Sequence, residues 1–147
     1  MRPGIDEVML SIADALSRRA TCKKLAVGCV LVDINFRIIG TGYNGVPSGW
    51  QHCTEDAPCE GSCLATHAES NALLSCNPTR RPYVCYTTYS PCLACCKQLI
   101  QSGCRSIVFV RKSSEHDEAC LYWSMEEGNT WYQYKGKTVE PEAQKGQ

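Results

Sequence analysis

The chain has 147 residues, enough for one compact domain with a three-layer core and short for two. Apolar residues make up 44% and charged residues 20%, an ordinary globular composition. Fifteen basic and fifteen acidic residues cancel, which disfavours a nucleic-acid polymer held by phosphate neutralisation but allows a small anionic ligand that needs only a few local cations.

The opening stretch MRPGIDEVMLSIADALSRRA carries acids through its apolar part, so it reads as an amphipathic helix rather than a secretory signal. Ile5, Val8, Met9, Ile12, Ala13 and Leu16 recur at three- and four-residue steps and predict a helix over residues 5–17. The longest apolar run, LAVGCVLV at residues 25–32, is too short to span a bilayer. No membrane partner is expected, and the expected setting is the cytoplasm. VGCVLVDINFRIIGTGY gives two β-rich runs joined near Asp33 and Asn35, a hairpin signal. GYNGVPSGWQHCTEDAPCEGSC is dense in Gly, Pro, Asn and Asp and reads as an irregular loop.

From Thr66, a good cap residue, THAESNALLSC turns helical. PYVCYTT reads as a strand, and SPCLACCKQLIQSG as a helix with Ser90 as its cap, Pro91 at its first position and Gly103 past its end. RSIVFV is a further strand and residues 118–127 look helical. Residues 1–134 are expected to form a single domain, and residues 135–147 a polar, mobile tail with little to bury. A hairpin followed by helix, strand, helix, strand, helix implies an α/β fold: a mixed sheet with helices on both faces.

Twelve cysteines are the unusual feature of the composition. In a reducing compartment clustered cysteines bind metal more readily than they pair. Pro91-Cys92-Leu93-Ala94-Cys95 puts one thiol at the start of a helix and a second a turn later on the same face. The helix N-terminus favours the thiolate, and two thiolates side by side need a cation between them. Zinc accepts sulfur and imidazole tetrahedrally, and with three protein ligands it keeps one position for water. His67 can supply the third ligand. Cys96, four residues after Cys92, is also a helical neighbour, and the three-residue spacing of the motif favours Cys95. Glu69, two residues past the histidine, is placed to carry protons. Alone, Cys92 and Cys95 could be a redox pair, His67 a satisfied core or surface histidine and Glu69 a solvated helix charge. Together, H-x-E and P-C-x-x-C, each opening a helix, form the signature of zinc-dependent nucleobase deaminases.

At these residues the chain resembles the zinc-dependent cytidine deaminase superfamily and, within it, the deoxycytidylate (dCMP) deaminases. TCKKLAVGCVLV, GTGYNGVPSG, HAESNALL and TTYSPCLACCKQLIQSGCRSIVFV carry the resemblance, in order, over most of residues 21–110. The resemblance implies a three-layer α/β/α sandwich around a five-stranded mixed sheet. It implies a catalytic zinc on His67, Cys92 and Cys95, and Glu69 as general acid/base in hydrolysis of dCMP to dUMP and ammonia, a step towards thymidylate. It further implies that Asn44, Ala68 and Ser90 meet the substrate. Gly42, Tyr43, Asn44 and Gly45 would take part in a dCTP or dTTP effector site, with Mg²⁺ accompanying the triphosphate, in a hexamer.

Cys22, Cys53, Cys59 and Cys63 are expected to form a second, structural zinc site stapling a loop too polar to hold itself by burial, with His52 as a substitute ligand. Free thiols are the plainer reading there. Cys29, Cys76, Cys85, Cys96, Cys104 and Cys120 read as small buried hydrophobes. The loop VRKSSEHDEA lacks the tyrosine that many dCMP deaminases stack on the pyrimidine. That leaves His116, Tyr122 or Trp123 for the role, or a pocket open beside C5 that admits a 5-substituted dCMP. Arg18, Arg19, Lys23, Lys24, Arg111 and Lys112 are the cations available for phosphate. The competing readings are a sister deaminase acting on another base or nucleotide, dCTP included, and a non-catalytic zinc-binding interaction module, which would give Glu69 no purpose.

Overall fold

The computed structural model describes residues 1–22, 24–53 and 64–136. Helix α1 (Ile5–Ser17) leads into strands β1 (Gly28–Val32) and β2 (Ile38–Tyr43), then helix α2 (Ala68–Leu74), strand β3 (Val84–Tyr89), helix α3 (Leu93–Gln101), strand β4 (Ser106–Arg111), helix α4 (His116–Ser124) and strand β5 (Thr130–Gln133). The five strands form one sheet in the order β2-β1-β3-β4-β5. β1 runs antiparallel to both β2 and β3, while β3, β4 and β5 are mutually parallel. The sheet is therefore mixed, as expected.

Period-two alternation assigns the two sides of the core. Cys29, Leu31, Cys85, Ile107 and Phe109 face a layer containing Ala68, Ala72, Leu99, Ala119 and Trp123 from α2, α3 and α4. The intervening Val30, Val32, Val84, Tyr86, Val108 and Val110 pack on Met9, Leu10 and Ala13 of α1. Strands covered on both faces read as unbroken apolar runs, which is why VGCVLV and RSIVFV show no polar alternation. Cys29, Cys85, Cys96 and Cys104 are buried among these side chains, whereas Cys76 and Cys120 are only half-buried; none of the described cysteines is in a disulfide. Among the described residues no helix is long and apolar enough to cross a membrane.

Three boundaries depart from the sequence reading. Thr66 does not cap α2: its backbone pairs with Gly45 (N–O 2.8 and 3.0 Å), and His67 takes the cap position. Ser90 does not cap α3. Its amide donates to the Arg111 carbonyl at 2.8 Å, which extends the β3–β4 pairing past Tyr89 and delays the helix until Leu93, with Cys92 as its cap. α4 begins two residues before the expected start and ends three before the expected end. β5, only four residues long, carries no clear period of its own, and no residue pattern predicted it; the resemblance alone implied a fifth strand. Gly103 does fall just past the end of α3, at φ +97°, where a side chain would be strained.

β2 and α2 touch closely at one point. A Cβ on Gly42 would run into the carbonyl oxygen of Ala68 and sit 2.5 Å from the Ala72 amide nitrogen, both backbone atoms. Gly42→Ala is expected to destabilise the fold by about 2–3 kcal/mol, the cost of an overpacked contact that cannot relax through a side chain. A urea titration against wild type measures it. An unchanged midpoint would mean that α2 does not rest on β2 in this way.

Candidate active site

The strand ends nearest α2 and α3 gather the residues that carry chemistry. His67 and Cys92 occupy equivalent places, each the cap residue of a helix that starts at this edge of the sheet. Cys95 follows one turn into α3. The free N–H groups and dipole at a helix start favour an anion, here a thiolate. His67 Nδ1 lies 3.4 Å from Cys95 Sγ and 3.5 Å from Cys92 Sγ. Among the described residues, His67, Cys92 and Cys95 are the one group of three whose ligand atoms come within 4.8 Å of one another. A tetrahedral zinc with Zn–N near 2.0 Å and Zn–S near 2.3 Å needs nitrogen–sulfur edges of about 3.5 Å. The three residues fit the ion as they stand. Cys96 is not in that group: it is fully buried in the core cluster, its sulfur 3.9 Å from the Pro91 carbonyl.

The electrostatics follow from the geometry. Cys92 is held well below the ordinary thiol range by the S–H of Cys95 and by the His67 imidazole. Cys95 is pushed up, because its proton is shared towards the Cys92 sulfur and because it is buried. His67 is raised chiefly by its hydrogen bond to Cys92. Glu69 is only 4% exposed, and burial drives its carboxyl up to about 7, with the Cys92 thiolate adding to the shift. A carboxyl poised near neutrality beside a cavity is a good proton carrier.

That cavity measures about 270 Å³. His67, Glu69 and Cys92 form part of its wall, together with Asn44, Ala68 and Ser90. His116 is not among the described lining residues. Its ring makes edge contacts with Phe109 (5.3 Å) and Trp131 (5.5 Å), and its Nδ1 sits 3.3 Å from the hydroxyl of Ser90, which lines the cavity. Trp123 is fully buried and donates its Nε1–H to the Thr130 carbonyl, and Tyr122 lies under the Lys97 ammonium. Among the described lining residues, Tyr89 places a phenol ring in the cavity wall. The sequence signal was available: Tyr89 ends β3 on the same face as Cys85 and Thr87, directly before Ser90-Pro91-Cys92.

The segment Gly42–Gly45 is occupied with the fold. Gly42 accommodates α2, Tyr43 lies 5.9 Å beneath the Arg19 guanidinium, and Gly45 pairs with Thr66. Of the residues expected to hold a second zinc, Cys22 lines the cavity and Cys53 is half-buried with its sulfur 3.3 Å from the Thr21 carbonyl. Cys59 and Cys63 lie outside the described residues, as do Lys23 and residues 137–147 of the polar tail.

Residues 3–111 match the sequence profile of the cytidine and deoxycytidylate deaminase zinc-binding region. The chain belongs to that family. It is 36% identical over 121 residues to a deoxycytidylate deaminase of Schizosaccharomyces pombe, covering 74% of this chain and only 37% of that longer protein. It is 35% identical over 129 residues to the deoxycytidylate deaminase of Mycobacterium phage D29, covering 76% of this chain and 98% of the phage protein. Among solved structures, the dCMP deaminase of cyanophage S-TIM5 in complex with dCMP and dUMP superimposes with a TM-score of 0.72 at 26% identity, covering 91% of this chain and 99% of that one.

Proposed function

We propose that this chain hydrolyses dCMP to dUMP and ammonia. The observation that carries the reading is the convergence of His67 Nδ1 and the Cys92 and Cys95 sulfurs beside a cavity into whose wall a buried Glu69 is set. The names of the relatives supply the substrate. His67, Cys92 and Cys95 would hold the zinc, which, when bound, supplies a Lewis acid that makes water ionisable near neutrality. Glu69 accepts the proton of the attacking water and delivers it to N3 of the pyrimidine, which makes C4 electrophilic. The same carboxyl then takes the second proton, from the hydroxyl now on C4, and hands it to the exocyclic amine; the C4–N bond breaks, ammonia leaves and C4 keeps the oxygen as the carbonyl of dUMP. Tyr89 and the backbone around Ala68 and Ser90 form the walls against which the base is set.

A purely structural zinc module is a poorer account. It gives no reason to bury a carboxylate whose charged form is disfavoured by that burial. The resemblance further supports dUMP supply for thymidylate synthesis, a dCTP or dTTP response with Mg²⁺ at Gly42, Tyr43, Asn44 and Gly45, a hexamer, and a second zinc drawn from Cys22, Cys53, Cys59 and Cys63. The test is ammonia release from dCMP, dCTP, CMP and deoxycytidine, with zinc measured in parallel. dCMP is expected to lead, with two zinc ions per chain. No ammonia from any of the four by zinc-loaded protein overturns the reading.

A further inference from the structure

We propose that His116 is a positioning residue: through the Ser90 hydroxyl it fixes residues 113–115, the segment that closes one side of the cavity. The assignment rests on the deaminase reading above and adds the residue that holds this wall in place.

Ser90 is only 2% exposed, and its backbone is fixed to the sheet by its amide, which donates to the Arg111 carbonyl at 2.8 Å. Its hydroxyl meets three partners. It accepts from the Ser113 amide (2.8 Å), lies 3.1 Å from Ser113 Oγ and lies 3.3 Å from His116 Nδ1. A hydroxyl has one hydrogen and two lone pairs, so these three neighbours satisfy it. Ser90, Ser113, Ser114 and Glu115 all line the cavity. Ser90 follows β3, whereas the other three residues join β4 to α4. Glu115 also reaches across this seam, its Oε1 3.5 Å from the Leu93 amide nitrogen at the start of α3. The Ser90 hydroxyl is therefore the buried fastening between two separate parts of the wall.

The His116 side chain is aimed at that fastening from a firm base. Its ring makes T-shaped contacts with Phe109 of β4 (5.3 Å) and Trp131 of β5 (5.5 Å), which themselves lie 5.4 Å apart. Its amide donates to the Ser113 carbonyl at 3.2 Å and closes the turn over residues 113–116. The histidine thus holds the segment at both ends of its own structure, by its backbone directly and by its ring through Ser90. In either tautomer Nδ1 can share a hydrogen with a hydroxyl. A phenylalanine would pack against the same two rings, so packing alone gives no reason for a nitrogen directed at Ser90.

The experiment measures kcat and KM for dCMP in zinc-loaded wild type, His116→Phe, His116→Asn, Ser90→Ala and the Ser90→Ala/His116→Phe double variant. Phenylalanine keeps the ring and removes the nitrogen. Asparagine gives up the ring and puts a carboxamide where Nδ1 stands. His116→Phe is expected to raise KM by about three- to tenfold, the worth of one neutral hydrogen bond, with kcat little changed. His116→Asn is expected to return KM close to the wild-type value, although its melting temperature falls with the lost ring contacts. On the Ser90→Ala background, His116→Phe is expected to add nothing, because the hydroxyl it acts through is gone. A packing role predicts the reverse order, phenylalanine harmless and asparagine harmful, and that order overturns the assignment. Losses that simply add in the double variant overturn it too. Either result leaves the deaminase reading standing, since wild type still turns over dCMP. A zinc-loaded wild type that releases no ammonia from any nucleotide of the panel takes both down.

Discussion

Replacing Glu69 with glutamine is expected to abolish turnover and, in the zinc-free protein, to raise stability. The loss of activity follows from removing the proton carrier while keeping shape and volume, and general acid/base catalysis of this kind is worth about a hundred- to ten-thousandfold. The gain in stability follows from linkage. In the fold the carboxyl titrates at about 7 against an ordinary 4.5, so the folded chain holds this proton more tightly than the unfolded one. The group therefore costs nothing in acid. The cost grows as pH rises from 4.5 and levels off above 7, at roughly 3 kcal/mol. Glutamine is neutral throughout and escapes it. Melting of zinc-free wild type and Glu69→Gln at pH 5 and pH 8 should show a gap that opens with pH. A variant that keeps more than a few per cent of the ammonia release would remove Glu69 from the mechanism.

Cysteines 95 and 96 give the second large contrast. Cys95→Ala is expected to lose the metal and the activity together, with zinc affinity falling by well over about a hundredfold, since even the loss of an outer-shell partner costs ten- to a hundredfold. Cys96→Ala should keep the zinc and lose only packing, of the order of 1 kcal/mol, because its sulfur is buried in the core and is not part of the ligand group found among the described residues. Metal analysis of both purified variants after extensive dialysis decides the matter. Zinc retained by Cys95→Ala and lost by Cys96→Ala would exchange their roles.

The candidate metal ligands and Glu69 were legible because the chain writes them in short spacings, two residues from His67 to Glu69 and three from Cys92 to Cys95, at helix starts marked by their own apolar runs. The central strands were legible because burial on both faces leaves continuous hydrophobic stretches. What escaped were features decided between distant segments. Ser90 looks like a helix cap to its neighbours, but its amide and hydroxyl are claimed by Arg111 and Ser113, more than twenty residues away. Asn44 lines the cavity, and its side chain also holds the backbone of Leu25 and Val27, a structural task that no local pattern announces. His116 looks like a stacking ring for a base, and it is packed in T-shaped contacts against Phe109 and Trp131. β5 pairs only with β4, through a register that four residues cannot announce.

The connection between β1 and β2 lies at the far end of both strands from Val27 and Asn44. Asp33 Oδ1 accepts from the amides of Asn35 and Arg37 there, and Phe36 sits at φ +60°, a conformation its side chain resists. Ile34 and Phe36 project outward, 69% and 41% exposed. A purification tag, a fluorophore or a short inserted peptide grafted at this tip would leave the catalytic end untouched, and it would replace an uncomfortable bend with a looser one. The molecule thus offers engineers a handle at the opposite end of the sheet from the candidate active site.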